Sequence, residues 1–248
     1  MNAITKDIID VVKECGCFIL NADRTSMEID SKAGPANFVT EYDKKVQDML
    51  EDKLMKIVPD ARFVGEEDDS RKASDQGKYF IVDPIDGTTN FIKDYHMSSI
   101  SVALLEDGVV QLGVIYNPYL DEMYYAERGN GAYCNEKKIL VSKQPLSNGI
   151  VIFGSSPYNA ELHELSFKTA YEYFKQALDI RRSGSAALDL CAIAAGRAEL
   201  FFELILSPWD YAAGSLIVEE AGGIVTTMEG EQISFNKKCS ILARNKEA

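Results

Sequence analysis

The residues best suited to chemistry form one uninterrupted run, DPIDGTTNF at residues 83–91, directly after an apolar segment at residues 79–82. Asp83 precedes a proline, which biases its backbone toward the extended geometry of a strand end. Gly87 permits a tight turn, and Thr88 follows it with a hydroxyl and a backbone N–H where a helix or turn begins, which makes an anion site. Carboxylates beside a phosphate-sized anion site require a bridging cation such as Mg²⁺. The run therefore predicts magnesium-assisted phosphate chemistry.

The alternative without a chemical role for this run is a surface turn, because Asp, Pro, Gly and Thr are all common turn residues. Turn chemistry alone constrains far fewer than nine consecutive positions, which favours the site.

The charge of the chain agrees with a cation-assisted site. The formal net charge is −13, from 39 acidic and 26 basic residues among 248. A field of this sign repels nucleic acid and anionic membranes, so we expect neither as a partner. It also repels a phosphate ester unless cations are present in the site. Five scattered cysteines and the absence of a signal-like or membrane-spanning segment predict reduced thiols and a cytoplasmic location.

The surrounding pattern indicates which elements hold these residues. Helical spacing of apolar residues predicts helices over about 4–20 and 46–57, and alternation predicts a β-meander through about residue 134. After residue 145, short apolar strands alternate with helical patterns at 160–177, 186–197 and 211–221. We therefore predict two closely packed halves, residues 1–145 as an α+β half with an antiparallel sheet and residues 146–248 as an α/β half.

Further segments complete a resemblance to a known family. They are Phe38-Val39-Thr40-Glu41-Tyr42-Asp43, Gly65-Glu66-Glu67, Arg181-Arg182-Ser183-Gly184-Ser185-Ala186-Ala187, Pro208-Trp209-Asp210-Tyr211-Ala212-Ala213-Gly214 and Glu219-Glu220-Ala221-Gly222-Gly223. With the run at 83–91, they resemble the inositol monophosphatases in order and spacing over nearly the whole chain. The resemblance implies a five-layer αβαβα sandwich of the sugar phosphatase type, a homodimer and inhibition by lithium.

The resemblance also assigns roles to individual residues. It implies two or three Mg²⁺ ions held by Glu66, Asp83, the backbone carbonyl of Ile85, Asp86 and Asp210. It implies that Asp43 and Thr88 align and deprotonate a metal-activated water, without a covalent phosphoenzyme. It implies substrate contacts from Asp86, Gly87, Thr88, Ser185, Ala186 and Glu203.

Several of these residues have simpler alternative roles. Asp43 follows Thr40 at the spacing of a helix capping box, and Asp210 is a candidate N-cap of the helix that begins at Tyr211. Glu66 belongs to an acidic run that extends to Asp69 and resembles a solvated loop. Glu203 lies in an apolar segment, where it is alternatively a strand-end residue without a ligand role.

The substrate and the class of function also have alternatives. A small polyol phosphate, inositol 1-phosphate first, is the substrate that the resemblance implies; fructose 1,6-bisphosphate and NADP or another nucleotide are the alternatives. A phosphatase of the haloacid dehalogenase type is disfavoured. Its two aspartates are separated by one residue near the N-terminus, whereas Asp83 and Asp86 are separated by two residues in the middle of this chain. The non-enzyme alternative is a metal- and phosphate-binding protein that has lost catalysis.

Overall fold

The protein is described by a computed structural model that covers residues 1–31, 38–68 and 72–248. The described residues form helices α1 (Ala3–Leu20), α2 (Glu41–Ile57), α3 (Thr88–Ile92), α4 (His163–Phe174), α5 (Ala186–Ala194) and α6 (Pro208–Glu220). The strands are β1 (Ile29–Ser31), β2 (Phe38–Thr40), β3 (Ala61–Gly65), β4 (Lys78–Asp86), β5 (Ser99–Glu106), β6 (Val109–Asn117), β7 (Glu122–Glu127), β8 (Ala132–Cys134), β9 (Lys137–Ile139), β10 (Ile150–Phe153), β11 (Asp179–Arg181), β12 (Leu200–Leu206), β13 (Ile224–Thr226) and β14 (Cys239–Arg244).

Two large sheets organise the chain. Strands β3 to β9 form a seven-stranded sheet in sequence order, and a five-stranded sheet has the order β11-β10-β12-β14-β13. The first sheet is antiparallel except at its edge, where β3 runs parallel to β4. The antiparallel sheet predicted for the first half therefore has one additional parallel strand, β3, which was not predicted because it follows α2 directly and its residues do not alternate. The second sheet is mixed, since β10 is parallel to β11 and β12 while β14 is antiparallel to its neighbours.

The elements stack in five layers. Helices α1 and α2 cover one face of the seven-stranded sheet, α5 and α6 lie between the two sheets, and α4 covers the outer face of the five-stranded sheet. Three clusters of buried side chains fill the spaces between these layers. The layered αβαβα class predicted from the sequence is confirmed. The division into two halves at residue 145 stays a prediction. Helices α5 and α6 from the second half pack on the sheet of the first half.

Local sequence explains the elements that position the site. Helix α2 begins with a capping box in which Thr40 and Asp43 exchange hydrogen bonds with each other's backbone N–H groups. The strand end expected at Asp83 lies further along the chain, because β4 continues through Pro84 to Asp86. Its pairing with β5 shifts register between Asp83 and Asp86, because proline cannot donate to the ladder and the strand bulges there. No helix among the described residues is both long and apolar enough to cross a bilayer.

Candidate active site

The bulged end of β4 carries the first two acidic residues of the site. Asp83 and Asp86 are 1% and 7% exposed, so both carboxyl groups are withdrawn from water. The N–H of Ile85 donates to Asp83 Oδ1 over 3.0 Å, which holds the carboxyl group against its own loop. The backbone carbonyl of Ile85, a predicted metal ligand, accepts a 3.2 Å hydrogen bond from the Thr88 hydroxyl. The strand end thus concentrates oxygen atoms in one small volume.

A glycine turn connects this strand end to α3. Gly87 has a φ of +88°, in the left-handed region that favours glycine. A Cβ at this position would lie 2.9 Å from the carbonyl oxygen of Met97 and 3.1 Å from that of Gly184. Both the backbone conformation and the close approach of the Gly184 turn therefore require glycine here.

Asp43 and Thr88 come together from elements that are far apart in sequence. The Thr88 hydroxyl lies 3.4 Å from Asp43 Oδ1, and both residues are buried. The other carboxylate oxygen of Asp43 accepts a 2.7 Å hydrogen bond from the N–H of Thr40. The capping role and the predicted catalytic position therefore coexist in Asp43, with one oxygen engaged in each.

Asp210 reaches the same volume from the start of α6. The helix begins at Pro208 with Ser207 as its N-cap, and the N–H of Ser207 donates to Asp210 Oδ2 over 2.7 Å. The alternative role considered for Asp210, that of an N-cap, is therefore wrong: Asp210 is the third helical residue, which closes a capping box. The helix starts three residues earlier than predicted because proline is well tolerated in the first turn.

Three carboxyl groups converge into a candidate metal centre. Asp83, Asp86 and Asp210 each offer an oxygen, and these oxygens lie within 4.8 Å of one another. Burial raises the pKa of Asp83 and of Asp210 well above the usual range, and the charges of Glu66 and Asp86 raise both further. Buried like charges at this spacing are unfavourable without a cation, and an oxygen-only donor set is the one that Mg²⁺ prefers. The residues present therefore fit magnesium.

Glu66 borders the three aspartates at the end of β3. The charge of Glu66 raises the pKa of Asp83, of Asp86 and of Asp210. The N–H of the next residue, Glu67, donates to Gln47 Oε1 over 2.9 Å, which ties this segment to α2. Asp69, the last residue of the predicted acidic run, lies outside the described residues.

The N-terminus of α5 holds Asp86 from the other side. Asp86 Oδ2 accepts hydrogen bonds from the Ser185 hydroxyl and, over 2.9 Å, from the N–H of Ala187. Burial raises the pKa of Asp86 to about 6, although these hydrogen bonds act to lower it. Ala186, the first residue of α5, is buried beside them. The predicted residues Asp86, Ser185 and Ala186 are thus brought together.

Two residues of the site went unnoticed in the sequence. Asn90 donates to the carbonyl oxygens of Met97 over 2.7 Å and Ser183 over 2.9 Å, so it joins the 83–91 run to the turn before α5. Its position inside the run was the available signal. Asp189 is 3% exposed in α5, and burial raises its pKa well above the usual range. Nothing in its local sequence distinguishes it from an exposed helical aspartate.

A cavity of about 530 Å³ opens beside the metal centre. Its lining includes Glu66, Asp210 and Glu203, together with Ser156. Glu203 is 6% exposed within β12, and its Oε1 accepts a 2.9 Å hydrogen bond from the N–H of Ser156. The hydroxyl of Ser156 is buried and has no hydrogen-bond partner among the described residues. The cavity wall thus offers the carboxylate of Glu203 to a polar ligand.

Comparison with known proteins gives a consistent result over the whole length. Residues 2–248 match the family model of the inositol monophosphatase family. An inositol-1-monophosphatase of Bacillus subtilis is 35% identical over 94% of this chain and 89% of its own length. The Nus factor SuhB of Escherichia coli is 37% identical over 81% of this chain and 75% of its own.

Solved structures agree with the sequence comparison. The extragenic suppressor protein suhB of Bartonella henselae has a TM-score of 0.90 and 34% identity, over 99% of this chain and 95% of its own. Three further structures, each 26% identical over 98% of this chain and 90% of their own, have TM-scores of 0.87, 0.88 and 0.83. They are an IMPase/NADP phosphatase with Mg²⁺ and phosphate, a staphylococcal inositol monophosphatase in a lithium-soaked inhibitory complex, and a staphylococcal IMPase with inositol monophosphate.

Proposed function

Since the chain belongs to the inositol monophosphatase family, and is therefore a phosphoric monoester hydrolase, we propose inositol 1-phosphate as its substrate. The observation that carries this choice is the carboxylate of Glu203 in the cavity beside the metal carboxylates. The N–H of Ser156 donates to one of its oxygens, which leaves the other oxygen to accept hydrogen bonds from the hydroxyl groups of a polyol.

The residues around the metal centre have distinct proposed roles. Glu66, Asp83, Asp86, Asp210 and the carbonyl of Ile85 would hold two or three Mg²⁺ ions. When bound, magnesium supplies positive charge that offsets these carboxylates and the phosphate, and it lowers the pKa of a water ligand.

Asp43 and Thr88 position the nucleophile in this proposal. Asp43 accepts a hydrogen bond from the Thr88 hydroxyl, which directs the oxygen of Thr88 toward a proton of the attacking water. As the water oxygen bonds to phosphorus and the ester P–O bond breaks, the water gives one proton to Thr88 and Thr88 passes its own proton to Asp43. Solvent supplies the proton that the departing polyol oxygen takes up, and Asp43 then returns its proton to solvent. Backbone N–H groups of Gly87 and Thr88 and the turn at Ser185 and Ala186 would orient phosphate and substrate. The chain contributes positioning and electrostatics rather than a covalent intermediate.

The decisive experiment compares phosphate release by the wild type and by Asp83→Asn, with and without Mg²⁺. The panel contains inositol 1-phosphate, fructose 1,6-bisphosphate, NADP and adenosine 3′,5′-bisphosphate. We expect Mg²⁺-dependent release, fastest from inositol 1-phosphate and lost in the variant. A higher kcat/KM for NADP would favour the second candidate, which the similarity to an IMPase/NADP phosphatase supports. Folded, Mg²⁺-binding protein without release from any ester would favour a binding protein, and a trapped phosphoenzyme would contradict the water-attack mechanism.

Three further properties belong to the same proposal. We expect a homodimer, measured as a mass twice the 27.5 kDa of one chain by light scattering. We expect a cytoplasmic location, measured by fractionation. We expect Li⁺ to inhibit by competing for a metal position, as the lithium-soaked staphylococcal relative suggests; unchanged activity in millimolar Li⁺ would contradict this.

A further inference from the structure

Gln47 joins the helix that carries Asp43 to the segment that carries Glu66. Gln47 follows Asp43 by four residues in α2, so both side chains leave the same face of the helix, about one turn apart. They are 7% and 1% exposed. Gln47 Oε1 accepts a 2.9 Å hydrogen bond from the N–H of Glu67, the residue after Glu66. A neutral side chain therefore contacts the backbone next to a predicted metal ligand.

The hydrogen bond lies where the sheet stops supplying acceptors to this segment. Strand β3 ends one residue before Glu66, and the N–H of Glu66 donates to the carbonyl oxygen of Val82 in β4 over 3.1 Å. The next N–H, that of Glu67, has Gln47 as its acceptor. Val82 immediately precedes Asp83. The backbone of Glu66 is therefore held on one side by the strand that carries Asp83 and on the other side by α2.

Gly65 gives independent evidence that Gln47 lies closely against this segment. A Cβ at Gly65 would overlap Gln47 Oε1 and would lie 2.6 Å from Gln47 Cδ. Gly65 is the last residue of β3 and does not have a positive φ, so its backbone conformation does not require glycine. The contact with Gln47 therefore accounts for the glycine in the Gly65-Glu66-Glu67 segment.

The charges of the metal centre indicate what this contact does. Without a cation, Glu66 repels the aspartates, since its charge raises the pKa of Asp83 and of Asp210. A restrained backbone limits how far the Glu66 carboxylate can move away from the others. The amide oxygen of Gln47 supplies this restraint without adding a further negative charge to the site.

We propose that Gln47 is a positioning residue for magnesium binding, which holds Glu66 in place before an ion enters. The proposal rests on the metal-binding role of Glu66 in the function proposed above. Groups that orient a metal ligand through a hydrogen bond affect metal affinity although they do not touch the ion. Because α2 carries both Gln47 and Asp43, one helix fixes the metal ligand and also the residue that receives the proton in the proposed reaction.

Gln47→Met tests the proposal, because methionine is similar in length to glutamine but its thioether is only a weak acceptor. We expect Kd for Mg²⁺, measured by calorimetry, to rise about tenfold to a hundredfold. At saturating Mg²⁺, kcat and KM for inositol 1-phosphate should stay within about threefold of the wild type, since Asp43 and Thr88 are unchanged. Gln47→Glu keeps an acceptor oxygen and should bind Mg²⁺ at least as tightly as the wild type.

The control is Gln176→Met, which makes the same change at an exposed position after α4 and should leave Mg²⁺ affinity unchanged. Thermal unfolding in EDTA identifies a merely structural role. If Gln47→Met lowers the unfolding temperature while Kd for Mg²⁺ stays at the wild-type value, the proposal is overturned. It is also overturned if Gln47→Glu loses as much affinity as Gln47→Met, or if the wild type binds no Mg²⁺.

Failure of the proposed function has a different signature. The wild type would then bind Mg²⁺ but release no phosphate from inositol 1-phosphate. Calorimetry of Mg²⁺ binding still compares Gln47→Met with Gln47→Glu in that case, so the role of Gln47 is decided by affinity alone.

Discussion

The backbone N–H of Ala187 donates a hydrogen bond to Asp86 Oδ2 over 2.9 Å, across 101 positions of sequence. This bond joins the end of β4 in the seven-stranded sheet to the first turn of α5 in the layer between the sheets. Helix N-termini stabilise negative charge, so α5 favours the ionised form of Asp86. Burial acts in the opposite direction and dominates, because the pKa of Asp86 remains raised to about 6. The protein thus fixes the position of the Asp86 carboxylate but does not fully stabilise its charge, which a bound cation would do.

Ser185→Ala should weaken both the fold and the metal centre. The Ser185 hydroxyl donates to Asp86 and accepts a 3.3 Å hydrogen bond from the N–H of Leu188 as the N-cap of α5. Losing the cap should lower the free energy of unfolding by about 1–2 kcal/mol. Losing the bond to Asp86 should raise the pKa of that carboxyl group, so Mg²⁺ affinity should fall more at pH 6 than at pH 8.

Urea unfolding measures the change in stability, and Mg²⁺ titration calorimetry measures the change in affinity. Ser147→Ala, at an exposed serine, is the control and should change neither.

Asp83→Asn should stabilise the metal-free protein while abolishing its response to magnesium. Burial and the charges of four neighbouring carboxylates raise the pKa of Asp83, so its ionised form is unfavourable in the absence of a cation. Removing that charge should raise the free energy of unfolding in EDTA by on the order of 1 kcal/mol or more. Thermal unfolding with and without Mg²⁺ measures this, because a bound ion stabilises only the protein that binds it.

The matched control for that measurement is Asp48→Asn, which removes one charge from the exposed face of α2. It should leave both the metal-free stability and the Mg²⁺-induced shift unchanged. A destabilised metal-free Asp83→Asn protein would contradict the conclusion that the carboxylates repel one another in the folded state.

Thr88→Ala should reduce catalysis without reducing metal binding. The Thr88 hydroxyl is the group that connects Asp43 to the proposed position of the attacking water, 3.4 Å from the carboxylate. Loss of general-base assistance costs about 10²–10⁴ in kcat, and Thr88→Ser should restore most of it. Thr89→Ala changes the adjacent threonine, which is exposed, and should retain wild-type kcat. Equal losses in Thr88→Ala and Thr89→Ala would indicate a damaged turn rather than a missing hydroxyl. Calorimetry of Mg²⁺ binding separates the two cases.

The sequence alone predicted the components of the site better than their local roles. Asp43 and Asp210 each occupy the third position of a helix and each close a capping box, at Thr40 and Ser207. The signature was readable at Thr40, whereas Pro208 in the first turn concealed the start of α6. A capping box therefore positions two carboxyl groups of the site, and the short-range sequence pattern was sufficient to find the one at Thr40 but not the one at Ser207.

The cavity could not be predicted in the same way, because its walls meet only in three dimensions. Ser156 and Glu203 are 47 residues apart and become neighbours because β10 pairs with β12. The backbone carbonyl of Lys237, another residue that lines the cavity, accepts a hydrogen bond from the Tyr211 hydroxyl, a contact with no local sequence signal. Strand β3 was missed for a related reason: its parallel partner β4 determines its place at the sheet edge, and its own five residues do not alternate.

Glu203 should make the stability of the metal-free protein depend on pH. Burial raises its pKa to about 7, above the value of 4.5 expected when it is unfolded and exposed. A carboxyl group whose pKa is raised by folding binds more protons in the folded state between these two values. Its contribution to stability is therefore complete below about pH 4.5 and is lost as pH rises through 7, with a slope of at most about 1.4 kcal/mol per pH unit. Other buried carboxyl groups add slopes of the same sign, so the comparison with a variant isolates this residue.

Glu203→Gln should remove that part of the pH dependence, because glutamine keeps the shape and an acceptor oxygen for the N–H of Ser156 but does not titrate. We expect the unfolding free energies of wild type and variant, measured in urea with EDTA at pH 5, 6, 7 and 8, to diverge as pH rises, with the variant becoming relatively more stable. Glu231→Gln, at an exposed position, should follow the wild type throughout. If the difference between wild type and Glu203→Gln stays constant from pH 5 to pH 8, Glu203 is ionised in the folded protein across that range, and burial does not control it.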